Sequence, residues 1–222
     1  MRIGIVAGLE AELAAFAPGA AGRLDTVGGV HIREVDWAGH QVALACAGIG
    51  KVAAATAATL LASRCRAEWL VVIGTAAGRA SGPAQAWRIA EAVQHDYGAR
   101  RPDRLARYTA GTIPVGPALL KPYVAAPLPG PLLPAARIAS GDMFVESAAH
   151  AAEIAASLGA QLIDMETAAV AQVALLLGLP WSAIKATTDA ADEAGAGTFE
   201  ANLLAAAAAA ARAAEAAVAA LR

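Results

Sequence analysis

Three carboxylates could carry chemistry in this chain of 222 residues: Glu12, Glu166 and Asp189. Two of them frame the stretch QLIDMETAAVAQVALLLGLPWSAIKATTD, residues 161–189. Residues 161–165 form a short apolar run that suits a buried strand. Residues 166–177 read as a helix of good formers stopped by Gly178 and Pro180, and residues 181–188 as a second strand. The first run closes on Asp164, Met165 and Glu166, the second on Thr188 and Asp189. Ligands of parallel α/β sheets bind outside the carboxyl ends of the strands, so this strand–helix–strand unit aims two carboxylates into one crevice. Glu12 follows another strand, residues 2–7, and sits with Glu10 at the head of a short helix, residues 9–16. Taken alone, that acidic pair also suits simple complementation of a helix dipole, worth ~0.3–1 kcal/mol.

Other motifs exclude other chemistry. Gly48-Ile49-Gly50-Lys51 resembles half a P-loop but lacks its spacing and the hydroxyl residue after the lysine. The glycines there suit close backbone approach to a ligand or a strand, and Lys51 reads as a solvated or helix-start lysine. No GxGxxG fingerprint, nucleophile elbow or zinc-ligand spacing is present, and His95-Asp96 alone is too little for a metal site or a triad. No metal and no cofactor is expected. The best buried-strand candidate, residues 69–74, ends in Gly74-Thr75-Ala76-Ala77-Gly78, which suits either a ligand approach or a tight turn. Phe144 and Met165, read without further context, are ordinary core residues.

The elements that must position these groups follow from composition and punctuation. Hydrophobic residues make up 58% of the chain and charged ones 16%, enough for a sizeable core, and the net charge is −2. With no basic patch interleaved with aromatics, a nucleic-acid partner is not expected. Cys46 and Cys65 read as buried thiols of a reducing compartment. The alanine tract at 203–211 is flanked by Glu200, Arg212 and Glu215, which predicts a terminal amphipathic helix rather than a membrane span, and a cytoplasmic protein. Residues 22–46 read as three strands turned at Gly28-Gly29 and Gly39-His40. A helix follows at 52–63. Further strands are predicted at 87–93 and 137–140, and further helices at 147–158, with Ser147 as N-cap, and at 198–221. Residues 98–134 read as loop plus one short helix, suited to a lid or a subunit contact. The alternation predicts a single α/β domain, three layers (α/β/α) around a mixed, largely parallel sheet. Glu12, Thr75, Phe144, Glu166 and Asp189 all follow predicted strands at the same end.

Six segments, in order, resemble the purine nucleoside phosphorylase superfamily, and within it the methylthioadenosine/S-adenosylhomocysteine nucleosidases. MRIGIVAGLEAEL is similar to the family opening, AGIGKVAAATAATLL to its SGIGK segment, and IGTAAG to its Gly-Ser-Ala-Gly-Gly turn. SGDMFV resembles the base-binding SGDAFI, IDMETAAVAQV the ribose-binding VDMEGAAIAQV, and IKATTDAAD resembles VRAISDVAD. The resemblance implies cleavage of an N-glycosidic bond in a small purine nucleoside. Asp189 would protonate adenine N7, Glu166 would hold the ribose hydroxyls and steady the oxocarbenium-like charge, and Glu12 would bind and deprotonate the attacking water. Phe144 would stack on the base, the Val145 backbone would read its edge, and Met165 would pack on the ribose. Leu9, Ile49 and Phe199 match an apolar pocket for the 5′ substituent, and Thr75 matches a serine near the water. Ala76, Thr188 and Lys185 complete the substrate-binding set.

The resemblance also implies a homodimer, while charge and composition predict neither a nucleic-acid nor a membrane partner. Three departures stand out: Lys185 replaces an arginine, Ala77 replaces the third glycine of the turn, and the segment after Asp96 lacks the family's aromatic run. The 5′ group is therefore open, and hydrolases of futalosine or adenosyl-hopane-type nucleosides fit the same pattern. A phosphate-dependent phosphorylase and a non-catalytic nucleoside-binding module are the other readings. Glu10 and Glu12 would repel phosphate and the 74–78 turn holds no arginine, with Arg79 just beyond, so water is the expected nucleophile.

Overall fold

The structure, a computed structural model, describes residues 1–78 and 84–222; Arg79 lies outside the described residues. Its centre is β1 (Arg2–Ala7), buried from Ile3 onward. β1 runs parallel to β4 (His40–Cys46) on one side and to β5 (Trp69–Gly78) on the other. β4 is reached through an antiparallel meander of β2 (Gly22–Val27) and β3 (Val30–Trp37), so the three strands read from residues 22–46 are present. The second turn is displaced by one residue from its expected place. His40 pairs with Trp37, leaving Ala38 (φ 50°) and Gly39 (φ 83°) as the two central residues. Both have the positive φ that the right-handed twist of a two-residue hairpin demands.

On the other side the sheet curls. β5 pairs in parallel with β12 (Trp181–Thr187), and β12 pairs antiparallel with β6 (Ala86–Gln94). β6 lies parallel to β10 (Ala135–Ser140), and β10 parallel to β11 (Leu162–Asp164). β5 runs on to Gly78, past the expected end at Gly74, and its last residues, Ala77 and Gly78, pair antiparallel with Ile163 and Leu162. The strands β5, β12, β6, β10 and β11 thereby close into a ring. Closure needs Gly78: a Cβ there would lie 2.6 Å from the Leu162 side chain and 2.8 Å from the Gln161 carbonyl oxygen. The ring changes the reason for convergence. β11 meets β5 antiparallel while β12 runs parallel to it, so the two strands of the 161–189 unit are not neighbours in one parallel sheet. Their carboxylates meet because the sheet closes on itself.

Helices cover both faces, giving the expected three layers. α2 (Lys51–Ser63) and α4 (Thr167–Leu177) pack on one face, and α1 (Glu10–Ala14) and α5 (Gly195–Ala220) on the other. The alanines earn their place here. Ala54, Ala57 and Ala58 of α2, and Ala206, Ala207, Ala210, Ala211, Ala214 and Ala217 of α5, are buried against strands that carry the branched bulk. α5 is long and apolar enough to cross a bilayer by length and composition; its alanine stripe packs on β5, β12 and β6. α3 (Ala148–Leu158) starts at Ser147, whose hydroxyl accepts the His150 N–H as expected of an N-cap, and covers β10 and β11.

Residues 98–134 correct the expectation of a short helix. Among the described residues this segment holds a hairpin of β7 (Gly98–Arg100) and β8 (Leu105–Arg107), and a two-residue strand, β9 (Tyr123–Val124), on β6. Its frequent prolines remove N–H donors and push each preceding residue out of the helical region. Arg107 ties the hairpin to α3, donating to the Glu153 carboxylate at 2.8 Å and to the His95 carbonyl at 2.6 Å.

Candidate active site

Glu12 enters the site from the first turn of α1. Its Oε2 accepts the N–H groups of Gly8 (3.1 Å) and Leu9 (3.0 Å), and its Oε1 accepts both the N–H and the hydroxyl of Thr75, each at 2.7 Å. Four donors hold this carboxylate in one place. Gly74 makes the arrangement possible, since its φ is +135° and a Cβ would stand 2.6 Å from the Glu12 carboxyl carbon. The glycine at the end of the buried strand thus serves close approach, here by a carboxylate of the chain itself.

Glu166 stands at the N-cap of α4, buried, with Oε1 accepting the Gly50 N–H at 3.2 Å. A Cβ on Gly8 would come within 3.0 Å of that oxygen. Behind it lies Lys185 of β12, whose residue is 0% exposed. Its Nζ is 3.0 Å from Asp164 Oδ2 and 3.6 Å from Glu166 Oε2. Burial pushes the Glu166 carboxyl up to about 7; Lys185 opposes the rise, and Asp164 and Glu12 add to it. Burial also works against the Lys185 ammonium, but the carboxylates of Asp164, Glu166 and Glu12 outweigh it and hold the lysine charged.

Asp189 follows β12, with Oδ2 accepting the Thr188 hydroxyl (2.8 Å) and Oδ1 the Ala191 N–H (2.9 Å). Phe144, in the loop after β10, meets Phe199 of α5 edge to face, with ring centroids 5.8 Å apart and planes at 78°. Phe144 is 45% exposed and Ile49 54%, which removes the core-packing reading for Phe144. Lys51 does begin α2, but it is paired rather than solvated: its ammonium reaches Asp96 at 2.6 Å and Asp142 at 3.5 Å. The pair fastens α2 to the loop that carries Phe144, and Asp96 is thereby engaged with a lysine, not with His95.

One cavity of about 140 Å³ gathers these groups. Leu9, Glu12, Ile49, Thr75, Ala76, Phe144, Val145, Met165, Glu166, Thr188, Asp189 and Phe199 all line it. Lys185 alone of the expected set does not, and acts from behind through Asp164 and Glu166. Gly8, Ala77, Met143, Ile163 and Asp164 join the lining beyond that set. Asp164 is the consequential omission. It accepts hydrogen bonds from the hydroxyls of Ser140 and Thr167 and from the Thr167 N–H at 3.1 Å. The acceptor three residues before a helical N–H is the N-cap pattern, a local signal that could have singled it out.

The sequence profile of the phosphorylase superfamily matches residues 2–222. The chain belongs to the phosphorylase superfamily. Within the superfamily, the 5′-methylthioadenosine/S-adenosylhomocysteine nucleosidase of Neisseria meningitidis, in complex with methylthio-immucillin-A, is similar at 26% identity and TM-score 0.84, over 99% of each chain. The nucleosidase of that name from S. pneumoniae, with a transition-state inhibitor, is 25% identical at TM-score 0.85, over 100% of both chains. Futalosine hydrolase of Helicobacter pylori shares the superfamily fold at 22% identity and TM-score 0.85, over 100% of this chain and 98% of its own.

Proposed function

We propose that the chain is a purine nucleosidase that hydrolyses the N-glycosidic bond of methylthioadenosine- or S-adenosylhomocysteine-like nucleosides, releasing adenine and the thioribose. The observation that carries this reading is the meeting of Glu12, Glu166 and Asp189 on one cavity with an apolar, aromatic mouth. Asp189 lines the same cavity as Phe144 and Val145, so a base stacked on Phe144 would present N7 to it for protonation. Glu166 and Met165 lie where a ribose would sit, the carboxylate accepting from its hydroxyls and steadying the positive charge that grows as C1′–N9 breaks. Water would attack from the face of Glu12. All four lone-pair directions of that carboxylate are occupied in the resting site, so water reaches it by displacing or sharing the Thr75 hydroxyl. An acid on one face and a base on the other is the logic of an inverting glycosidase.

Water is favoured over phosphate because no arginine or lysine is among the described lining residues and Glu12 would meet an incoming phosphate with like charge. The futalosine hydrolase likeness keeps a bulkier 5′ substituent as the second reading, since Ile49 and Phe144 leave the mouth open. We place the enzyme in the cytoplasm as a homodimer acting on small nucleosides, with no nucleic-acid or membrane partner. The test is adenine release from methylthioadenosine, S-adenosylhomocysteine and futalosine, in phosphate-free buffer and again with phosphate. Release without phosphate, fastest from the thio-nucleosides, is expected. Strict dependence on phosphate would make the enzyme a phosphorylase, and release from futalosine alone would move the substrate to the second reading.

A further inference from the structure

Three carboxylates and one ammonium share the back of the cavity, and they share it unequally. Asp164 is saturated: two hydroxyls, one backbone N–H and Lys185 converge on it. Ser140, one of those hydroxyl donors, is itself fixed by the Ala168 N–H at 2.9 Å. The anchorage therefore spans β10, β11 and the first turn of α4. Glu166 has one backbone N–H at 3.2 Å and the ammonium at the longer distance of 3.6 Å. Among the described residues the charged groups facing Glu166 are Glu12 from α1, Asp164 from β11 and Lys185 from β12, and the loop before α2 adds the Gly50 N–H. Among the described residues a single ammonium thus serves three carboxyl groups, and geometry assigns it first to Asp164.

We propose that Asp164 is a positioning residue that draws Lys185 away from Glu166, and so decides whether the ribose-facing carboxylate enters the reaction charged or neutral. The assignment of Glu166 to the ribose rests on the nucleosidase reading; the positioning by Asp164 does not. With Asp164 in place, Glu166 is left short of positive charge in a dry site, consistent with its raised proton affinity. Glu166 then binds a proton near neutrality although the lysine stands 3.6 Å from it, because the shorter contact is made to Asp164. Shifting that cation would change the charge of the carboxylate without touching substrate.

The test titrates Glu166 directly in the resting protein. Its carboxyl stretching band, identified by its loss in Glu166→Gln, is followed by infrared difference spectroscopy against pH. In Asp164→Asn, which keeps the shape but frees the lysine, the Glu166 midpoint is expected to fall by about one unit or more. Lys185→Met is expected to raise it. Lys185→Arg, whose fork can span both carboxylates, is expected to lower it with Asp164 untouched, and this variant answers the question even if Asp164→Asn fails to fold. A midpoint that stays put or rises in Asp164→Asn, or in Lys185→Arg where Asp164→Asn does not fold, overturns the proposal. Because no turnover is read, absence of adenine release would sink the nucleosidase reading and leave this result standing.

Discussion

Glu12, Glu166 and Asp189 carry the same functional group, and their surroundings make them different. Glu12 is a carboxylate pinned by four donors, Glu166 is buried with the Lys185 ammonium 3.6 Å away, and Asp189 is held by one hydroxyl and one N–H. If Asp189 supplies the proton to the leaving base, Asp189→Asn should lower kcat by roughly 10²–10⁴-fold while inhibitor binding, measured by calorimetry, changes little. Wild-type turnover in that variant would remove the general-acid assignment. Glu166 makes a prediction about stability. Its folded-state affinity for a proton, near 7, exceeds the unfolded value of 4.5. Between those values the unfolded chain has released the proton and the folded protein keeps it, so this group's contribution falls as pH rises through the window and levels off above about 7. Glu166→Gln should therefore match wild type in Tm near pH 4.5 and exceed it increasingly up to neutrality, with a constant gap beyond. A gap independent of pH would contradict the burial argument.

At the scale of elements, β5 does the most. It pairs with β1 and β12, delivers Gly74 and Thr75 to Glu12, and closes the ring through Gly78. Gly74→Ala would place a methyl group against the Glu12 carboxylate in a backbone conformation that suits glycine. It is expected to lower activity by at least tenfold and to lower Tm, both measurable on one preparation, whereas Gly28→Ala in the open hairpin turn should spare activity. The contrast explains what was legible in the sequence. β1, the meander, α2, the Ser147 cap and the 161–189 unit all announce themselves by local signals: apolar runs, turn residues or a cap. The end of β5 does not, because Thr75-Ala76-Ala77-Gly78 has the composition of a turn, and its strand partner lies far along the chain. Residues 98–134 carry no usable period, and contacts remote in sequence, such as Tyr123 with β6 and Arg107 with α3, help to order them. All but Lys185 of the residues that the family-like motifs pointed to line one cavity; Asp164 offered only its local N-cap spacing to Thr167, and its contacts with Ser140 and Lys185 are remote from it in sequence.

The whole molecule has a closed side and an open one. On the closed side five strands surround the cavity's base and leave carboxylates and lysine in a dry, fixed frame, which is where uncompensated charge persists. On the open side the sheet ends at β2, whose outer backbone has no strand partner among the described residues. That flank is guarded by charge: Arg23 pairs with Glu34 at 2.6 Å and Asp25 with Arg64 at 3.0 Å, surface pairs that stabilise the fold little. Their weakness as stabilisers points to another service. An unpaired strand invites a second chain to add to it, and alternating charge makes such stacking unfavourable. Arg23→Val with Asp25→Val should leave kcat per soluble molecule intact yet raise light scattering on concentration, with filaments or precipitate growing from this flank. The same hairpin that supports β1 from afar would then limit how crowded a solution the enzyme tolerates.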